Sequence, residues 1–388
     1  MTLYLSKLQL RAELDRCLQC KTHPCMNSCP VGCNPQEFIQ HAKNDDWERA
    51  VHAIVKVNPL GQTCGLVCPD KFCMSACTRS HVDFPINIPR VQATILENYR
   101  KTKDETCHKP HREQRIAIVG AGPSGLAAAD AFAKAGFRVE LFESRDKIGG
   151  ALNLIPKDRL PHEVIEKDWH FICDQSEIAL HLNTNIDDIE SLSKPFDAVI
   201  VATGAPHCTT LHIQGEEHTV SYMDYLSHPE HYQTREPVAI IGGGNVAVDC
   251  AHTALKHGAS LVEMFIRRRI SDMRISKREF LELIEAGIHL TGMTSPEKID
   301  MDGDHVVLHV HRNLCVEGHW QPLEGTHMAL PYFKYVIRAV GSRAGEKIDD
   351  LENVFYAGDC STGGSTVVQA IASGKNVAES VIATLLQK

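Results

Sequence analysis

No run of about 18 apolar residues occurs anywhere in this 388-residue sequence, so no segment is suited to cross a bilayer as a helix. There is no basic excess either. Lys and Arg number 40 against 49 Asp and Glu, a formal charge of −9, and that sign argues against a general nucleic-acid binder. The first 16 residues carry Lys7, Arg11, Glu13 and Asp15 where an export signal needs its apolar stretch, so a cytoplasmic protein is expected. Among 22 histidines no His-x-x-x-His pair on a helix stands out, and His305, His309 and His311 fall at strand spacing and read as a solvated strand face. With 43% apolar and 23% charged residues, disorder and fibrous repeats are excluded. The 15 cysteines are an odd number, which speaks against a disulfide framework in such a chain.

What is present is a concentration of thiols. Nine cysteines fall between Cys17 and Cys77, and the other six are scattered. The surrounding sequence, residues 1 to about 105, reads as helical. Leu3, Leu5, Leu8, Leu10 and Leu14 mark a first amphipathic helix, and Asn34-Pro35 caps a second with Phe38, Ile39 and Ala42 on one face. Asp46 opens a third that runs through Trp47, Ala50, Val51, Ile54 and Val55 until Asn58-Pro59, and a fourth runs from Pro89 to Tyr99. The polar stretch Lys101 to Glu113 reads as a linker. From Arg115 the pattern becomes strand, glycine turn, helix, strand: residues 116–119, 124–135 and 138–142. It recurs at 238–241, 245–257 and 261–266, and the C-terminal stretch from Asn353 supplies another strand and a long helix.

The thiols form two groups, Cys17-x2-Cys20-x4-Cys25-x3-Cys29-Pro30 and Cys64-x3-Cys68-Pro69-x3-Cys73-x3-Cys77. Soft thiolates suit iron, short spacings wrap several corners of a cubane, and a distant cysteine closes it. Two 4Fe–4S clusters are expected. Structural zinc favours paired Cys-x2-Cys knuckles, and only Cys17 and Cys20 have that spacing. Cys33 lies outside the pattern and reads as a spare thiol.

Gly120-Ala-Gly122-Pro123-Ser124-Gly125 follows a strand and opens a helix. In this fingerprint the first glycine makes the turn, the second admits a pyrophosphate and the third allows close helix–strand packing. Glu143, 18 residues after Gly125, ends the next strand and is placed to accept from ribose hydroxyls. The second loop is Gly242-Gly-Gly244-Asn245-Val246-Ala247, and its following strand ends in Arg267-Arg268-Arg269, with Arg274 beyond. A carboxylate repels the 2′-phosphate of NADP, whereas guanidinium groups bind it, so the first loop suits FAD and the second NADPH, with NADH as the alternative. Thr203-Gly204 closes an apolar strand at 197–202, and Gly358-Asp359 precedes the last helix, where an acid suits a ribityl chain. Gly150, Gly341, Thr366 and Val368 are further expected cofactor contacts.

These residues together resemble the flavin/iron–sulfur electron-input module of glutamate synthase small subunits and dihydropyrimidine dehydrogenases, most of all the stand-alone flavin subunit of the bacterial dihydropyrimidine dehydrogenases. The resemblance implies an α/β chain: a helical iron–sulfur domain (residues 1–110), an FAD-binding Rossmann-like domain (111–208 and 330–388) and an NADP-binding Rossmann-like domain (209–329) inserted in it. It implies interlaced clusters, one on Cys17, Cys20, Cys25 and Cys77, the other on Cys29, Cys68 and Cys73 with Gln92 as fourth ligand. Cys64, four residues before Cys68, is the thiolate alternative, although its counterpart is not a ligand in those relatives. The interval from Cys68 to Cys73 is one residue shorter than theirs. By the same resemblance Arg159 contacts flavin and Arg267, Arg268 and Arg274 read NADPH. The NAD-type relatives carry acids after the first of these arginines.

The implied function is an oxidoreductase subunit that passes electrons from NADPH through FAD and the clusters to a separate chain carrying an FMN barrel, either pyrimidine-reducing or glutamate-forming. No catalytic acid, base or nucleophile is expected. Two other classes compete. A self-contained flavin disulfide reductase needs a redox cysteine pair beside the flavin, and Cys173, Cys208, Cys250, Cys315 and Cys360 are solitary in sequence. A non-catalytic redox sensor would have no need of intact nucleotide loops.

Overall fold

The computed structural model describes residues 2–100, 111–175, 177–345, 347 and 351–387. Most of the expected linker, residues 101–110, lies outside them. The chain divides into one unit of Met1–Asn153, Lys157–Pro206 and Ala344–Lys388, and a second of Leu154–Pro156 and His207–Arg343.

Side-chain caps set the helix starts near the N-terminus. Asn34 accepts the backbone N–H of Glu37 at the head of Pro35–Lys43, Asp46 accepts that of Arg49 before Trp47–Val55, and Asn87 that of Arg90 before Ile88–Tyr99. The apolar faces of these helices, with Phe38, Ile39, Ile54, Val91 and Ile95, are buried, and Trp47 stacks on Tyr99 with ring centroids 3.8 Å apart. The leucine-rich start differs from its sequence pattern. Its helix begins at Lys7, only Leu10 and Leu14 are buried within it, and Leu8 is 82% exposed.

One helix has no periodicity to announce it. Gly61–Val67 is buried on every side, so it shows no polar face. No side chain of its own segment caps it. Asp168, fully buried on the helix His162–Gln175, accepts the N–H groups of Gln62 and Thr63, the latter at 2.8 Å. Arg100 pairs with the same carboxylate at 2.5 Å and also donates to the Gln62 side-chain oxygen at 2.6 Å. The iron–sulfur segment and the first Rossmann sheet are thus joined by a buried ionic network.

That sheet is parallel, in the order Val354–Tyr356, Ala198–Val201, Arg115–Val119, Arg138–Phe142, Ile178–His181. The first glycine loop leaves its central strand where the order reverses, the crevice position for ligands in open α/β sheets. The second unit repeats the plan with Val220–Ser221, Tyr335–Arg338, Val238–Ile241, Val262–Ile266, His289–Gly292. Residues 330–343, assigned from sequence to the FAD domain, belong to this second unit, because Tyr335–Arg338 pairs with Val238–Ile241 along its whole length. A four-stranded antiparallel sheet, Thr294–Asp302, His305–Val316, His319–Pro322 and Met328–Phe333, also belongs here. Its Val306, Leu308 and Val310 are buried, and the alternating His305 and His309 pair with Glu236 and Asp300 on the wetter face. Among the described residues no helix is long and apolar enough to cross a membrane.

Removing Arg100 leaves a buried carboxylate without its cation. Arg100→Ala is expected to cost about 3–5 kcal/mol. Arg11→Ala, which breaks an exposed pair with Asp45, should cost under about 1 kcal/mol, and urea unfolding of both variants checks the contrast.

Candidate functional site

The first glycine loop is built by steric necessity. Gly120 has φ +105°, and a Cβ there would stand 2.5 Å from the Ala202 carbonyl oxygen. A Cβ on Gly125 would stand 1.9 Å from the carbonyl oxygen of Gly120. Gly122 is the opposite case, for the nearest atom to its missing Cβ is Gly150 Cα at 3.9 Å. It is the N-cap of the helix Pro123–Lys134, and no side chain caps that end. Open space before uncapped N–H groups is a cradle for a pyrophosphate. The buried Ser124 hydroxyl has no hydrogen-bond partner. Glu143 accepts from Ala121 N at 2.9 Å and Arg145 N at 3.0 Å, which holds the acid against the loop with lone pairs to spare.

The C-terminal segment closes on the same place. Missing side chains let it do so: a Cβ on Gly374, in the helix Val367–Leu385, would stand 2.0 Å from the Ser124 carbonyl oxygen, and one on Gly358 2.8 Å from Ser124 Cβ. Asp359 follows Gly358 and accepts from Ser365 at 2.6 Å. Thr366 caps the long helix in a reciprocal box with Gln369, and Val368 is buried in its first turn. Thr203 and Gly204 follow the Ala198–Val201 strand, and beside Gly204 a Cβ would meet nothing within 4 Å. Arg159 lies in this unit. Gly341 lies in the second, its carbonyl accepting from Thr209 N at 2.9 Å. Cys360, solitary in the sequence, is a contact that reading missed: its buried thiol bonds to the carbonyl oxygens of Val201 and Ala357.

The second loop repeats the geometry. Gly242 has φ +147°, with its missing Cβ 2.3 Å from the Ala339 carbonyl oxygen, and Gly244 has open space before the helix Asn245–Lys256. The side-chain oxygen of Asn245 is buried without a partner, and Val246 is exposed. Arg274 N donates to the Gly243 carbonyl, which brings the distant arginine back beside the loop. Arg269 pairs with Asp272 at 3.3 Å and lies over Trp320. Among the described residues Arg267, Arg268 and Arg274 form no ion pair, so three guanidinium groups stay open to an anion.

The thiols sort into two cavities. One is lined by Cys17, Cys20, Cys25 and Cys77, the other by Cys29, Cys68, Cys73 and Gln92. Cys33 and Cys64 also line the second, as does Val368. Cys33, read from the sequence as a spare thiol outside the pattern, is folded inward by the turn after Cys29 and is buried at this cavity's wall. Backbone N–H groups of Cys33, Val31 and Gly32 point at the Cys29 sulfur. Burial, with help from neighbouring thiols, pushes Cys25 up to about 11 and Cys73 up to about 12. Packed thiols that resist ionisation, ringed by N–H donors, fit a positively charged iron core that would draw out their protons. Among the described residues no three His, Cys, Asp or Glu side chains gather as the ligand set of one metal ion.

Comparison with known proteins is consistent with this arrangement. Residues 1–104 match the family described as dihydropyrimidine dehydrogenase domain II, 4Fe–4S cluster, residues 118–178 an NAD(P)-binding Rossmann-like domain, and residues 166–348 the pyridine nucleotide-disulphide oxidoreductases. The chain is 30% identical over 399 residues to the NAD-dependent dihydropyrimidine dehydrogenase subunit PreT of Escherichia coli O157:H7, an alignment covering 95% of this chain and 92% of that one. The chain belongs to the PreT family. The glutamate synthase [NADPH] small chain of Azospirillum brasilense is also similar, at 27% identity over 95% of this chain and 88% of its own. In three dimensions the Mycobacterium tuberculosis oxidoreductase FprA shares the fold, with a TM-score of 0.63 at 20% identity over 71% of this chain and 85% of that one. This member of the PreT family is an NAD(P)H-dependent oxidoreductase of the flavin and iron–sulfur electron-transfer type.

The two loops predict opposite outcomes. Gly125→Ala drives a methyl group into backbone, so the purified protein should lose its flavin absorbance. Gly244→Ala meets no atom, so flavin should be retained while KM for the nicotinamide nucleotide rises.

Proposed function

We propose that this chain is the electron-input subunit of a two-chain enzyme, taking electrons from NADPH and delivering them through FAD and two 4Fe–4S clusters to a partner with an FMN barrel. The pyrimidine-reducing relatives favour a dihydropyrimidine dehydrogenase partner, and a glutamate synthase large subunit is the second reading. The observation that carries the proposal is the shared wall of the second thiol cavity. Val368 stands in the first turn of the helix that follows Asp359, and the same side chain lines the cavity of Cys29, Cys68 and Cys73. Groups held at the first glycine loop and in that cavity therefore have common neighbours.

When bound, flavin accepts electrons as a pair and iron–sulfur clusters carry them singly, which is why such a chain needs both. The protein's part is to bind and orient. N–H groups at the head of Pro123–Lys134 hold a pyrophosphate, Glu143 accepts from ribose hydroxyls, and Asp359 accepts from a ribityl chain. Thr203, Gly204, Gly150 and Arg159 flank that ligand, and Thr366 fixes the start of the long helix. Gly242, Gly244, Asn245 and Val246 cradle the second nucleotide, and Gly341 lies in the same unit. Cys17, Cys20, Cys25 and Cys77 hold one cluster. Cys29, Cys68 and Cys73 hold three corners of the other, and the fourth faces both Gln92, the ligand the resemblance implies, and Cys33.

Choice of NADPH rests on the unpaired Arg267, Arg268 and Arg274, although the Escherichia coli relative is named NAD-dependent. Guanidinium groups without an ion-pair partner among the described residues have no such bond to surrender when a 2′-phosphate arrives. NADPH is expected to exceed NADH in kcat/KM by about tenfold or more, and the double variant Arg267→Ala, Arg268→Ala should erase that margin while barely changing NADH turnover. A wild-type preference for NADH would overturn the choice.

Electron input by itself is tested with the isolated chain. It should reduce an artificial acceptor with NADPH yet leave uracil, thymine, and 2-oxoglutarate with glutamine unchanged until a partner is added. Cys29→Ser and Cys68→Ser should each lose roughly half the iron, about four of eight atoms, and keep much of the direct dye reduction. Pyrimidine reduction or glutamate formation by the chain alone would refute the division of labour.

A further inference from the structure

A buried amide with no work inside the protein stands on the wall of the second thiol cavity. Asn58 lines that cavity and is 2% exposed. Its side-chain oxygen has no hydrogen-bond partner, and its side-chain nitrogen donates to none of the described residues, cysteine sulfurs included. We propose that Asn58 donates a hydrogen bond to an inorganic sulfide of the cluster held by Cys29, Cys68 and Cys73, and so raises the reduction potential of that cluster. The inference rests on the two-cluster reading above and concerns what surrounds the cluster, not what ligates it.

The position explains why the side chain is free. Asn58 follows the helix Trp47–Val55, and its backbone N–H ends that helix on the Ile54 carbonyl at 3.0 Å. Asparagine this close to a helix start ordinarily spends its side chain on nearby backbone N–H groups. Here the next helix, Gly61–Val67, has no local side-chain cap, because Asp168 takes the N–H groups of Gln62 and Thr63. The distant carboxylate leaves Asn58 nothing to cap. Burying an unpartnered amide costs stability, which a ligand in the cavity recovers if it accepts a hydrogen bond.

The cavity offers few other donors of this kind. Besides its thiols the wall is apolar, with Pro30, Phe72, Ile88 and Val368, except at the amides of Asn58 and Gln92. Gln92 is already engaged, since its side-chain N–H donates to the Gly61 carbonyl at 2.6 Å and its oxygen accepts from the Cys33 thiol. A half-turn about the terminal bond of the Asn58 amide exchanges its oxygen and nitrogen, and with neither end engaged that turn breaks no hydrogen bond. Reduction adds one negative charge to the core. A donor aimed at its sulfide therefore holds the reduced state more strongly than the oxidised one, and the apolar wall amplifies the difference. Val368 sets this cavity against the segment that closes on the first glycine loop, so a raised potential here draws electrons from the flavin side.

The test uses the full chain, purified anaerobically, with iron analysis, FAD content and EPR-monitored redox titration. Wild type carrying about four irons or none, instead of about eight, would sink the two-cluster reading before any variant is considered. With that reading intact, the second cluster's signal is the one that Cys29→Ser lacks. Asn58→Leu, similar in size and without a donor, is expected to keep its iron and FAD. At a fixed potential its ratio of reduced to oxidised second cluster should fall about tenfold, a midpoint lower by about 59 mV for one electron, while the first cluster's midpoint stays put. If Asn58→Leu fails to hold its iron, Asn58→Met, whose flexible side chain fills irregular space, is read in its place with the same expectation. An unchanged or raised midpoint in a loaded variant would overturn the proposal. So would equal shifts of both clusters, or loss of the second cluster from both variants, which would make Asn58 a prop of the cavity and not a donor to its contents.

Discussion

A carboxylate with no access to water governs the first unit. Asp168 accepts two backbone N–H groups from the Gly61–Val67 helix and an ion pair from Arg100, so three partners share the burden of its desolvation. The helix it caps is only seven residues long, too short to persist alone in water. Yet this helix carries Cys64 and leads directly into Cys68. Fixing its head against the His162–Gln175 helix fixes where the second group of thiols begins, and with it the cavity that Cys29 and Cys73 complete from elsewhere in the chain.

The two nucleotide sites show how one backbone solution takes two electrostatic characters. At both loops the first glycine lies where any Cβ would strike the next strand's backbone, and the second lies beside open space. These are steric demands, indifferent to which nucleotide arrives. Charge supplies the distinction. The first loop is backed by Glu143, drawn in by the N–H of Ala121, whereas the second is flanked by arginines that form no ion pair among the described residues. Arg269 shows what a committed neighbour looks like, paired with Asp272 and laid over Trp320.

The thiol cavities obey a different balance. Burial and repulsion from neighbouring thiols both favour the neutral thiol at positions such as Cys25 and Cys73. A metal core would reverse that preference, so iron–sulfur assembly and completion of this domain would be thermodynamically linked. Val368 places the second cavity against the long C-terminal helix, whose own start depends on Gly374 and Gly358 lying close to Ser124. The glycines that close on the first glycine loop thus also bear on the position of the thiols.

Much of this was written locally. Asn34, Asp46 and Asn87 cap helices through side chains three residues from their partners, the glycine fingerprints are steric statements about consecutive residues, and cysteine spacing announces cluster chemistry. Other features depended on residues far apart in sequence. Leu8 looked like a core position and is exposed, since only the packed neighbours decide which side of a helix is inside. Gly61–Val67 lacked any pattern because burial on all sides erases periodicity, and its cap is more than a hundred residues away. Residues 330–343 joined the second sheet because Tyr335–Arg338 pairs in parallel register with Val220–Ser221 and Val238–Ile241, a choice of partner that no local propensity encodes. Cys33 stands outside the spacing pattern, and only the turn after Cys29 carries its sulfur beside the Gln92 side-chain oxygen. Spacing pointed to iron, the resemblance implied which thiols belong together, and the packing of separate segments around two cavities is what brings those groups side by side.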